Sequence, residues 1–373
     1  MRGSGKEKER GSVMKTMLFS PGPVMVEDKV RQTLLHYDIC HRSPEFEEMF
    51  VRLQALILKI FEADDSYYSV VVSGSGTSAN ETCLSSVFAP GDSALLINNG
   101  EFGERLHEIL TKHNVPHINY ACGWACDPDL AQVEEYLKND ESIKYVCAVF
   151  HETSTAMINP IPELAKLAHK YGRRIFVDCV SAAAGQHIKA AENGIDICTS
   201  VGGKCVGAYP GSAYVCAKKE ILESLTPEMG KTVYLNLAKH YQMAVAKHQT
   251  PNTPNVNLFW PLEAAMDHII NEEGLDAYIE RHKECTKIVR DGMRELGLRF
   301  LLPEEKMSNT VTSVFLPEGK DVAAFIKRMG DAGYTVYAGK GKYYDMNMFQ
   351  VATMGAIYPE DCRKFLEVLK TKI

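Results

Sequence analysis

Between about residues 50 and 220, short runs of β-favouring residues alternate with segments of helical period, and this alternation narrows the possible folds most. The runs are S-V-V-V-S (69–73), A-L-L-I-N (94–98), Y-V-C-A-V-F (145–150), R-I-F-V-D (174–178), D-I-C-T-S (196–200) and S-A-Y-V-C-A (212–217). A strand with one wet face alternates apolar with polar residues. Several of these runs are apolar on successive residues, the mark of a strand covered on both faces. Helical patterns lie between them, at 77–88, 103–112, 129–138 and 162–171. The order predicts an α/β domain with a mainly parallel sheet and helices on both sides.

After about residue 260 the pattern changes. A long helical stretch covers 260–295, strand candidates follow at 310–315 and 334–337, and a helix closes the chain over 359–371. The expected organisation is a polar, disordered tail over 1–16, a large domain over 17–265 and a small α+β domain over 266–373. The Pro-rich extended segment 17–28 is free to pack on the small domain. With 373 residues, 45% hydrophobic and 24% charged, the chain can bury a sizeable core. A net charge of −7 without a basic block argues against nucleic-acid binding. No run is long enough for a membrane span. Eleven cysteines, mostly within apolar runs and without metal-ligand spacing, predict reduced buried thiols, no metal site and a cytoplasmic location.

Two residues suggest chemistry. Asp178 closes the strand R-I-F-V-D, and Lys204 follows in the glycine-rich turn T-S-V-G-G-K-C-V-G-A-Y-P-G-S. An enzyme using pyridoxal 5'-phosphate (PLP) needs a lysine amine to form a Schiff base with the cofactor aldehyde. It also needs a carboxylate to keep the pyridine nitrogen protonated, so that the ring acts as an electron sink. Ligands of open α/β sheets sit outside the carboxyl ends of the strands, and further groups converge there. Ser75, Gly76 and Thr77 lie at a strand-to-helix junction suited to phosphate. Phe102, in N-N-G-E-F-G, is placed to stack on a ring, and Ser154 and Thr155, in H-E-T-S-T, reach the same edge. Singly these have plainer readings: a capped helix, a core anchor, a turn.

Together with S-P-G-P, D-I-C-H-R-S-P-E-F, V-D-C-V-S and a late V-Y-A-G-K, these motifs resemble those of the class V aminotransferases, fold-type I PLP enzymes. The likeness runs from about Leu18 to the C-terminus. It implies a seven-stranded, mainly parallel sheet in the large domain, PLP as cofactor, and transamination between a small amine donor and a keto acid such as pyruvate. The donor would be 2-aminoethylphosphonate-like or alanine/serine-like. It makes Lys204 the Schiff-base lysine and Asp178 the partner of the pyridine nitrogen, with Val180 beside the cofactor. Phe102 would stack on the ring, Ser154 or Thr155 would lie near the ring oxygen or Asp178, and Ser75, Gly76 and Thr77 would hold the phosphate. Thr250 and Thr253, in T-P-N-T-P, would reach the neighbouring subunit's phosphate, so a homodimer with active sites at its interface is implied.

Two positions depart from the family pattern. Where its members carry an arginine that forks onto the substrate anion, this chain has Gln350, and a neutral amide cannot replace a bidentate cation. Arg42, Lys340 or Lys342 would then supply the anchor, or the substrate is not the usual anionic amino acid. Gly203 stands where a polar residue is frequent. Gln350 therefore leaves open a PLP-dependent lyase, decarboxylase or racemase. A cofactor-binding protein without turnover is a third reading, against which the retention of both Lys204 and Asp178 speaks.

Overall fold

The computed structural model describes residues 16–373. The tail expected over 1–16 therefore falls almost wholly outside the described residues. The largest sheet has seven strands: Tyr67–Gly74 (β1), Ser93–Asn98 (β2), His117–Ala121 (β3), Ile143–Val149 (β4), Arg174–Asp178 (β5), Ile197–Val201 (β6) and Gly211–Lys218 (β7). Their spatial order is β3-β2-β4-β5-β6-β7-β1, and β7 runs antiparallel to both its neighbours while the other pairs are parallel. All six residues of β2 and all five of β6 are buried, as consecutive apolar runs require of strands sandwiched by helices. The expected run 94–98 is β2 and 174–178 is β5; β3 had no counterpart in the sequence reading.

The helices that matter for the site are Gly76–Leu84 (α1), which leaves β1, and Glu101–Lys112 (α2), which leaves β2. After β2 the chain goes outward to β3 and then returns to β4 on the other side of β2. This reversal opens a crevice at the carboxyl ends of β2 and β4, where α/β sheets bind ligands.

A second core gathers Phe19, Val289, Met293, Val314, Phe325, Phe349 and Phe365. It lies against a four-stranded sheet of Arg299–Phe300 (β8), Val311–Phe315 (β9), Tyr337–Ala338 (β10) and Met348–Ala352 (β11), ordered β8-β9-β11-β10 with all pairs antiparallel. The helical stretch read over 260–295 is not continuous: Phe259–Asp267 passes into a wider π-helical turn, His268–Glu273, and breaks at Gly274, whose φ of +88° suits glycine. Leu275–Glu295 then runs on as a 21-residue helix. Met17–Leu18 pairs in parallel with Tyr334–Thr335, tying the N-terminal segment to this second core.

Candidate active site

The carboxyl edge of the large sheet assembles the chemistry. Asp178 ends β5 almost fully buried and accepts from the Val180 amide (2.8 Å) and from Asn80 Nδ2 (2.6 Å). Asn80 is held in turn by the Thr199 hydroxyl at its Oδ1 (2.5 Å). Burial pushes the Asp178 carboxyl up, opposed by these two hydrogen bonds and by the nearby charges of Lys204 and Arg105. Lys204, in the turn after β6, donates from Nζ to the Pro21 carbonyl. Desolvation lowers its amine to about 8, with Asp178 acting in the opposite sense. Each group thus stands within the other's field.

Close packing explains several glycines. A Cβ at Gly203 would lie 2.8 Å from the Pro210 nitrogen, so a side chain there would force this backbone to shift. Gly22, at φ +117°, lies so close to Lys204 that a Cβ would meet Nζ at 2.8 Å. At Gly76 a Cβ would meet Val180 Cγ2 at 2.4 Å, which brings the first turn of α1 against the residue that bonds Asp178. Ser75 caps α1 by backbone position alone, with no side-chain cap bond, and Ser75 is exposed. The first amides of α1, with the helix dipole behind them, suit an anion.

Across the crevice, Glu152 does what the sequence reading did not anticipate. It is fully buried, and its carboxylate accepts from the amides of Phe102 (3.2 Å), Gly103 (3.1 Å) and Ser154 (3.2 Å) and from the Ser154 hydroxyl. Burial raises its carboxyl to about 7 against those hydrogen bonds. The Ser154 hydroxyl also accepts from the Glu101 amide (3.1 Å), and Thr155 donates to the Glu152 carbonyl (3.2 Å). Glu152 therefore fixes the first turn of α2, which carries Phe102, to the loop after β4. Arg105 and Lys340 lie over the Phe102 ring.

Beside this edge, His151 is buried with Nδ1 facing the Ser181 carbonyl (3.0 Å). Burial holds it down at about 4, so it is neutral with Nδ1 donating.

Other expected residues lie in a different setting. Gln350, on β11, donates from Nε2 to the Thr153 carbonyl (2.7 Å) and to the Ser313 hydroxyl (2.9 Å). Arg42 donates to Gln249 Oε1 (2.6 Å) and to the carbonyls of Thr250 (2.8 Å) and Pro251 (3.2 Å). It thereby braces the T-P-N-T-P loop and not the Lys204 edge. In that loop Thr250 is buried and gives its hydroxyl to the Asn252 carbonyl (2.7 Å), whereas Thr253 is exposed. Lys342 lies over Tyr343.

A sheet in this order, with a lysine and a buried carboxylate at its carboxyl edge, has known counterparts. Residues 20–351 match the family aminotransferase class-V, and the chain belongs to that family of PLP-dependent transaminases. It is 31% identical over 364 residues to a 2-aminoethylphosphonate–pyruvate transaminase of Vibrio cholerae serotype O1, covering 96% of this chain and 97% of that one. An uncharacterized aminotransferase of Methanocaldococcus jannaschii is also 31% identical, over 92% of this chain and 88% of the other. Among solved structures, an alanine–glyoxylate aminotransferase from a Nostoc species superposes with a TM-score of 0.88 at 23% identity, covering 98% and 97% of the two chains. An aspartate aminotransferase from Thermus thermophilus gives 0.87 at 24%, covering 96% and 100%. These likenesses establish the fold.

Proposed function

We propose that this transaminase moves the amino group of a small donor carrying an oxyanion, of the 2-aminoethylphosphonate or alanine type, to pyruvate or a similar keto acid. Support comes from the similarity to the Vibrio transaminase along nearly the whole chain. The observation that carries the reading is the pairing of the Lys204 amine, lowered to about 8, with buried Asp178 at one sheet edge.

PLP supplies an aldehyde carbon to hold the donor nitrogen and a ring that takes up the electron pair left when a proton departs. The residues present suit it. The first amides of α1 with Ser75 and Thr77 would hold its phosphate, Phe102 would cover one ring face, and Asp178 would hold the proton on its ring nitrogen. Asn80 and the Val180 amide donate to the Asp178 carboxylate and oppose the upward push of its burial. Lys204 Nζ would hold the cofactor through its aldehyde carbon; as a free amine it would serve as general base toward the donor carbon and as the general acid that delivers the same proton to the cofactor carbon. Gly22 packs against the Lys204 side chain and the Pro21 carbonyl accepts from its Nζ.

We infer a homodimer as well. Leu35 and Tyr37 are 80% and 90% exposed and Val233 is 77% exposed, a pattern expected of a surface that a second copy covers. Thr253, exposed on the loop braced by Arg42, would then reach the partner's phosphate site. Among the described residues no helix is long and apolar enough to cross a membrane, and the eleven cysteines are free, which supports a cytoplasmic enzyme.

The test is a half-reaction. Holoenzyme mixed with 2-aminoethylphosphonate or alanine, without acceptor, should convert its cofactor absorbance once and stop, and pyruvate should restore it. Continued turnover without acceptor would identify a lyase or racemase instead. Lys204→Ala should lose the absorbance of the lysine-bound cofactor.

A further inference from the structure

A donor with a phosphonate or carboxylate needs cations close to Lys204, and the position its family uses for this carries Gln350. Gln350 gives both amide hydrogens to Thr153 and Ser313, and the Arg42 fork is filled by loop oxygens. Two other cations converge over the Phe102 ring. Arg105, one turn into α2, has Cζ 4.9 Å from the Phe102 ring centre, and Lys340, arriving from the second core, has Nζ 5.5 Å from it. Both approach a single carboxylate oxygen, Glu101 Oε1, at 3.8 Å and 3.1 Å. One carboxylate cannot neutralise two cations, so the cluster is net positive.

The three side chains are 36%, 39% and 31% exposed, reachable by solute, with Arg105 and Glu101 one turn apart on α2 and Lys340 on the segment after β10. Their field extends inward: both cations oppose protonation of Lys204. We propose that Arg105 and Lys340 together bind the oxyanion of the amine donor, with Glu101 as the counter-ion that the oxyanion replaces. A planar guanidinium fork beside a mobile ammonium matches the several oxygens of a phosphonate or carboxylate. The proposal rests on the transaminase reading above and names the anchor that Gln350 does not provide.

Steady-state kinetics of PLP-loaded enzyme with 2-aminoethylphosphonate and with alanine test it. Arg105→Gln and Lys340→Gln should each raise KM for the anionic donor about 10- to 100-fold, the loss expected for a charged hydrogen bond. The rise in KM should outweigh any change in kcat, and Arg105→Lys should recover part of the loss. Glu101→Gln, by removing the competing carboxylate, should lower KM, which a merely structural role for the cluster would not produce. An unchanged KM in both glutamine variants with wild-type absorbance overturns the proposal and leaves the transaminase reading standing. So does a Glu101→Gln variant whose KM rises with theirs. A wild-type enzyme that takes up PLP but consumes neither donor overturns the functional reading and this anchor together. If the loss is larger with aminoethylphosphonate than with alanine, phosphonate is the preferred anion; the reverse order names carboxylate.

Discussion

At the scale of single residues, the most consequential quantity is the proton on Lys204. Its ordinary value is 10.5, and burial lowers it to about 8. A neutral amine is the form that attacks an aldehyde, and lowering the value enlarges that form near physiological pH. The expected outcome is a rate of PLP capture by apoenzyme that rises with pH, reaches half its maximum near 8 and levels above it. Stopped-flow absorbance across pH 6.5–10 measures this; a rate still climbing at 10 would place the amine in a wetter setting. Lys204 and Asp178 were legible because their residue types are unusual for their positions, a lysine among glycines and an acid ending an apolar strand. Glu152 and Arg105 were not. In sequence they read as ordinary solvated charges of a polar loop and a helix face, and only the crevice buries one and turns the other toward Phe102.

At the scale of elements, consecutive apolar runs marked the covered strands, and the edge strand β3 escaped notice. His117–Ala121 has only Ile118 and Tyr120 as large apolar members and none of its residues is buried, so its short alternation is a weaker mark than the continuous apolar runs of the covered strands. The opposite happened at M-F-Q-V-A, which attracted attention for a missing arginine and is the fully buried β11, paired with both β9 and β10. Gln350 there ties β11 to β9 through Ser313 and to the loop after β4 through Thr153. Restoring the arginine therefore puts a larger charged group where two acceptors suit an amide. Gln350→Arg should cost on the order of 3 kcal/mol through an underpaired buried charge, lowering Tm without improving KM for an anionic donor. Thermal melts beside donor kinetics decide this. A variant of unchanged Tm with a lower KM would return position 350 to the substrate.

At the scale of the whole molecule, the N-terminal segment links the second core to the active site. The Phe19 amide donates to the Thr335 carbonyl (2.9 Å) and its carbonyl accepts from the Ala352 amide (2.9 Å). Its ring, fully buried, stacks on Phe365 with centroids 4.4 Å apart. Two residues later Pro21 accepts from Lys204, then Gly22 packs on the same side chain, and Val24 and Val26 join the larger core. The chain thus crosses from one core to the other directly over the reactive lysine. Phe19→Ala should remove about 3–5 kcal/mol of core packing and also loosen the Pro21–Gly22 contact on Lys204. Leu369→Ala, in the closing helix Pro359–Lys372, opens the same core one helical turn beyond Phe365, the ring on which Phe19 stacks. Both variants should melt earlier, but only Phe19→Ala should release PLP faster on dilution into cofactor-free buffer. Equal release from the two would mean that the second core steadies the site as a whole and that residues 17–26 carry no special share of it.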